Sequence, residues 1–234
     1  GISAEDIWLT IKLNRTFNSQ KLAFSKIKGF DFQYSNTLFI QQKLHEFDIK
    51  LGGKLERQSL IPEEDKDRYL VSSIMEEAIA SSQLEGAATS RKIAKEMLRQ
   101  ERKPRNKSEQ MILNNYGTIK KILELKTEQL NPELVLEIHK SISKDTLDNA
   151  ENEGRFRKTN DVNVVDAITG EVVHIPTDYR SIKKLIIEFC RFANSSDKDK
   201  FIHPIIKAAI LHFLIGYIHP FIDGNGRAAR AIFY

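Results

Sequence analysis

Positions 219 to 230 read His219-Pro220-Phe221-Ile222-Asp223-Gly224-Asn225-Gly226-Arg227-Ala228-Ala229-Arg230, which gathers most of the chain's chemically suggestive residues in one short run. A histidine that titrates near neutral pH suits the removal of a proton from a hydroxyl. Gly224 and Gly226 let the backbone turn tightly and bring its amides close to a ligand, and Asn225 tolerates left-handed geometry. A helix beginning there points its positive end at the same spot, with Arg227 and Arg230 as neighbours on one face. Asp223 supplies a carboxylate through which Mg²⁺ could bridge to phosphate oxygens. Singly, these are a helix-end histidine, a turn and a solvated basic face. Together they make a base, a metal ligand, an anion cradle and two clamps, as a phosphate-bearing ligand needs.

The elements that must position this run are mostly helical. Residues 203–218 begin with His203-Pro204 and are apolar on almost every face, which predicts a central helix surrounded by others, with His212 a packed or partly exposed structural residue of it. Pro220 ends it and leaves His219 at a sharp exit. Upstream, Tyr69, Leu70, Ile74, Ala78 and Ile79 recur at helical spacing until Gly86 supplies a stop, and Thr89 or Ser90 can cap a second helix running to about Arg99. Ile112, Tyr116, Ile119 and Leu123 form another stripe, and Asn131-Pro132-Glu133 carries the cap, proline and carboxylate of a helix start. Ile182, Leu185, Ile186, Phe189 and Phe192 continue the pattern. One stretch differs: Val162, Val164 and Val165, a turn over 166–170, then Val172, Val173 and Ile175 predict a lone β-hairpin. Residues 1–60 sustain neither period and stay unassigned.

The string HPFIDGNGRAAR resembles the signature HPFx(D/E)GNGRxxR of the Fic domain family and meets every specified position. The resemblance implies a mainly α fold, a Fic-type helical bundle with one β-hairpin flap, over residues 61–234. It implies transfer of AMP from ATP to a Ser, Thr or Tyr hydroxyl of a protein. His219 would be the base, Asp223 the Mg²⁺ ligand, and Gly224, Asn225 and Gly226 the anion hole. Arg227 and Arg230 would clamp the phosphates, and Phe221 would pack the loop. The hairpin, represented by Val162, Val164, Val172 and His174, would be a flap that pairs with a strand of the target, with 154–157 and 174–176 bracketing it. Far upstream, Ser81-Ser82-Gln83-Leu84-Glu85-Gly86 resembles the family's inhibitory motif (S/T)xxxE(G/N), which implies an inhibitory helix near 70–86 with Ser81, Glu85 and Gly86 at its end. Glu85 would then pair with Arg230, and Ser81, one turn earlier, would steady Glu85 or the site beneath it. The family continues past its signature whereas this chain stops at Tyr234, so truncation is expected at that end, as is trimming before Gly1.

Bulk properties narrow the partners. In 234 residues, 36 basic side chains nearly balance 32 acidic ones, so nucleic acid ranks low despite the basic stretch 102–107, which reads as a solvated loop. The one cysteine, Cys190, lies between phenylalanines and reads as buried filler, with no internal disulfide possible. No apolar run is long enough for a membrane span and no leader precedes Ile7, which suggests a cytoplasmic protein. Self-modification and a homo-oligomer are compatible with the sequence. Two alternatives stand beside AMP transfer: removal of AMP or transfer of another phosphate-containing group, and a nucleotide-sensing or DNA-binding module.

Overall fold

The computed structural model describes residues 1–52, 63–125, 127–166, 168–195 and 201–234. The chain divides into two compact units, Gly1–Leu60 and Ile61–Tyr234. In the first, helix α1 (Ala4–Phe17) is closed at its start by a Ser3–Asp6 capping box, and strands β1 (Ser19–Lys21) and β2 (Gln33–Ser35) pair antiparallel before α2 (Leu38–Gly52). Its small core holds Ile27, Phe32 and Leu44, while no residue of α1 is buried.

The second unit is helical: α3 (Glu63–Leu84), α4 (Arg91–Arg99), α5 (Lys107–Glu124), α6 (Pro132–Ser143), α7 (Ile182–Asn194), α8 (Pro204–Ile218) and α9 (Asn225–Phe233). Local chemistry sets these starts. Ser90, Asn106 and Asn131 each accept an amide hydrogen bond from the first turn of α4, α5 and α6, and the His203 ring does the same for α8. Gly86, at φ 92°, ends α3. The apolar face of α3 packs on α4 and α5 through Met75, Ile79, Ala94, Met97, Leu98, Met111 and Ile112. Ile138 and Ile142 of α6 close on Ala231, which seats α9 against α6. Cys190 is buried, and desolvation pushes its thiol up to about 12.

Several expectations need correcting. Tyr69 and Leu70 are about half exposed, so the buried stripe of α3 begins only at Ile74. Helix α8 is not enclosed: Ile210, Leu211, Leu214, Ile215 and Ile218 are buried and Phe213 faces outward, while His212 is partly exposed against Phe233, within the sequence expectation. The stretch 102–107 is not simply solvated, because Arg102 makes a bidentate pair with Glu109, which is 3% exposed. That pair, with the Arg105 amide, draws the Glu109 carboxyl down to about 2. The hairpin is short, β3 (Val164–Val165) on β4 (Val172–His174), with Val164 opposite His174, Val165 opposite Val172 and a bulge between. Val162 lies outside it, and Ala167 lies outside the described residues. Among the described residues no helix is long and apolar enough to cross a membrane.

Candidate functional site

His219 follows the last turn of α8 in left-handed geometry, φ 51° and ψ 60°, with its amide donating to Ile215 O at 2.9 Å. A non-glycine residue there is strained, and the following proline forbids continuing the helix. The ring Nδ1 lies 3.3 Å from Gly216 O, so it carries the proton and leaves Nε2 as the basic atom. Burial lowers the imidazole's pKa, opposed by the Gly216 carbonyl, and the charges of Arg157 and His174 lower it further against a contrary pull from Asp223. At neutral pH the ring is a neutral base.

Beyond it the loop is closed by side-chain bonds to its own backbone. Asn225 Oδ1 accepts the Phe221 amide and Asn225 Nδ2 donates to Phe221 O, both at 2.9 Å. Asn225 is therefore not the left-handed residue of the turn; it is buried in the first turn of α9, and Gly224, at φ 80°, turns the chain. Gly226 is needed for space rather than for turning, since a Cβ there would lie 3.0 Å from Glu85 Cδ and collide with its oxygen. Phe221 is fully buried and stacked on the His139 ring at 3.7 Å.

The two arginines do different things. Arg227 is 2% exposed, and its Nη1 donates to Ile142 O at 3.0 Å, at the negative end of α6. Its Nε finds no partner, its Nη2 stands 4.0 Å from Asp223 Oδ2, and burial lowers its pKa. Arg230 reaches instead to the end of α3: Nη2 contacts Glu85 Oε1 at 2.6 Å, and Nε donates to Ser81 Oγ at 2.7 Å. Of the two expectations for Ser81, its bonds go to Arg230 of the site beneath and not to Glu85. Gly86 stops the helix that carries them.

Residues 129–234 match the model of the Fic/DOC family. That match, to a Fic domain, covers a little under half of the chain. A protein adenylyltransferase Fic from Nematostella vectensis is 35% identical over 109 residues, 46% of this chain and 22% of that one. The protein adenylyltransferase Fic of Drosophila melanogaster is 39% identical over 59 residues, 25% of this chain and 12% of that one. The chain therefore spans about a fifth or less of the length of these curated relatives. Two solved structures share its fold: a Fic family protein from Desulfovibrio desulfuricans (TM-score 0.67, 20% identity, 86% of this chain and 57% of that one) and a Fic domain containing signaling protein from Bacteroides thetaiotaomicron (0.63, 23%, 82% and 70%).

In the loop after His219, Asp223 is the only acidic side chain, with one oxygen on the Gly224 amide and 60% of its side chain exposed. Among the described residues no cluster of three potential ligands exists. This donor set fits Mg²⁺ only as an ion shared with nucleotide phosphates, the manner in which Mg²⁺ is commonly bound. Two residues that sequence reasoning did not assign hold the loop. His139 Nε2 donates to Asp223 O at 2.9 Å and its Nδ1 accepts the Gly154 amide at 3.0 Å, while burial presses its pKa down to about 4. Arg157, 3% exposed, donates from Nε to His219 O at 2.8 Å. The faint signals were a histidine within the buried stripe Val135, Ile138 and Ile142, and the arginine of Gly154-Arg155-Phe156-Arg157. On the hairpin, Val165 and Val172 are half exposed and Val164 partly so, whereas His174 turns back to donate to Tyr217 O at 2.8 Å.

Proposed function

We propose that this chain is a protein adenylyltransferase that moves AMP from ATP to a side-chain hydroxyl of a target protein, held in check by Glu85. The observation that carries this reading is a neutral imidazole at His219 beside a loop and helix start built to receive phosphate, and the names of the curated relatives agree with it. His219 Nε2 takes the hydroxyl proton as the oxygen bonds to the α-phosphorus and the bond to the β-phosphate oxygen breaks, releasing pyrophosphate. Amides of Gly224, Asn225 and Gly226, with Arg227 and Arg230, offset the negative charge on the phosphates. Mg²⁺ bound at Asp223 and the phosphates would supply further charge neutralisation.

The hairpin is two-stranded, so each strand keeps an outer edge to which a target strand can add by backbone pairing. Glu85 is the check because it takes the guanidinium of Arg230 and covers Gly226. The test is incubation with α-labelled ATP and Mg²⁺, alone and with lysate. Glu85→Gly is expected to raise labelled protein about tenfold or more, the scale of a 1–3 kcal/mol coupling. His219→Ala in that background should abolish transfer and leave nucleotide binding. Equal labelling by the unsubstituted protein and Glu85→Gly at subsaturating ATP would refute the check. Labelling that survives His219→Ala would refute the base.

A further inference from the structure

A helix leaves its last four carbonyls without intrahelical partners. At the end of α8 the run from Gly216 to Pro220 is fully accounted for, and the hairpin segment does most of it. Gly216 O accepts from the His219 ring itself. Tyr217 O accepts from His174 Nε2, and Ile218 O accepts from Thr177 Oγ1 at 3.3 Å. His219 O accepts from Arg157 Nε, and Pro220 O from the Arg157 amide at 2.9 Å. The hairpin and its two stems are thus the C-terminal cap of the helix that carries His219.

Arg157 joins the two parts. Its Nη1 donates to Thr159 O at 2.6 Å and to Asn160 Oδ1 at 3.2 Å on the entering stem, and its Nη2 donates to Thr177 O on the leaving stem. One planar fork therefore fastens both stems and the backbone of His219 at once. Lysine, a flexible point charge with three donors, cannot reproduce that geometry.

We propose that Arg157 is a positioning residue for transfer to protein: it fixes the hairpin in register with His219, so that a target strand added to the hairpin edge brings its hydroxyl to Nε2. This rests on the adenylyltransferase reading above. All three nitrogens of the Arg157 guanidinium are committed to acceptors within the protein, so its loss should slow transfer without weakening nucleotide binding.

The test compares Glu85→Gly with Glu85→Gly/Arg157→Lys in the full 234-residue chain. Calorimetric affinity for a non-hydrolysable ATP analogue should stay within about twofold, while AMP incorporated into protein at saturating ATP should fall about tenfold or more. Amide hydrogen exchange gives a readout independent of catalysis: protection at His219 should drop while that at Leu211, mid-helix, is retained. Unchanged incorporation, or an even loss of protection along the whole of α8 together with nucleotide affinity, would overturn the proposal by showing Arg157 to be idle or merely structural. If Glu85→Gly itself incorporates no label, the adenylyltransferase reading fails and exchange alone decides Arg157. Should Arg157→Lys not fold, Asn160→Ala removes one stem acceptor and is expected to lower incorporation about threefold at constant affinity. No change there overturns the proposal equally.

Discussion

His139 makes the fold itself sensitive to acid. The ring is fully buried between Phe221 and the loop, and both nitrogens are committed in the neutral form: Nε2 donates to Asp223 O, and Nδ1 accepts from the Gly154 amide. A second proton on Nδ1 would place a charge in a desolvated site and near the Arg227 guanidinium, which is why the pKa falls from 6.5 to about 4 against the pull of the Asp223 carbonyl, and it would also remove the acceptor of the Gly154 amide. In the unfolded chain the ring titrates at its ordinary value, so the unfolded state gains a proton first as pH falls. The stability His139 contributes is complete above about pH 6.5, is lost progressively down to about pH 4 and is constant below that. At about 1.4 kcal/mol per pH unit of difference, the loss between about pH 7 and about pH 5 is about 2 kcal/mol. For a chain of this size that lowers the melting temperature by about 4–8 °C. His139→Phe keeps the stacking partner and removes the titrating group, so it should be less stable at neutral pH and have a flatter stability profile. Calorimetric scans of both proteins at several pH values measure this. Parallel profiles for the two would refute the assignment of the acid sensitivity to His139.

Gly226→Ala should destabilise the unsubstituted chain by about 1–3 kcal/mol, because its Cβ meets the Glu85 carboxylate, and by much less in Glu85→Gly. A double-mutant cycle in denaturant measures the coupling, and equal losses in both backgrounds would show that the two do not compete for space. The lowered pKa of His219 places the acid limb of label transfer below the ordinary histidine range, since the base works deprotonated. Initial rates in Glu85→Gly should be level from about pH 7 to about pH 8, and a severalfold rise across that interval would contradict the neutral ring.

What was legible in the sequence was what lies close together along it. The signature loop is one contiguous run, and the helix starts at Asn131-Pro132 and His203-Pro204 depend on neighbouring residues, so spacing reveals both. The supports of the loop depend on contacts across 84 and 62 positions, His139 to Asp223 and Arg157 to His219, and nothing in local periodicity encodes them. Asn225 departs from its sequence expectation for a related reason. Between two glycines it looks like a turn residue, but its amide has a better use in closing the loop on Phe221, which leaves the left-handed position to Gly224. The exposure of Tyr69 and Leu70 shows that a helical period fixes a face without fixing how far along the helix that face is covered.

These restraints also bear on where control can reside. Two strained or left-handed positions, His219 and Gly224, are held by bonds from the side chains of His139 on α6, Arg157 on the hairpin stem and Asn225 to the loop backbone, all of them at least partly buried. Moving the base would mean breaking several of these together, at about 0.5–1.5 kcal/mol each. The contact between Glu85 and Arg230 is of another kind. Its side chains are 28% and 22% exposed, and an ion pair in contact with water contributes about 0.2–1 kcal/mol. The two bonds from Arg230 to Ser81 raise that without burying it. A check built there is shallow, of the order of the tenfold gain expected for Glu85→Gly. Under the proposed function it would yield to nucleotide phosphates competing for Arg230 while His219 and the loop stay where they are, so that regulation and catalysis would occupy neighbouring residues without sharing a moving part.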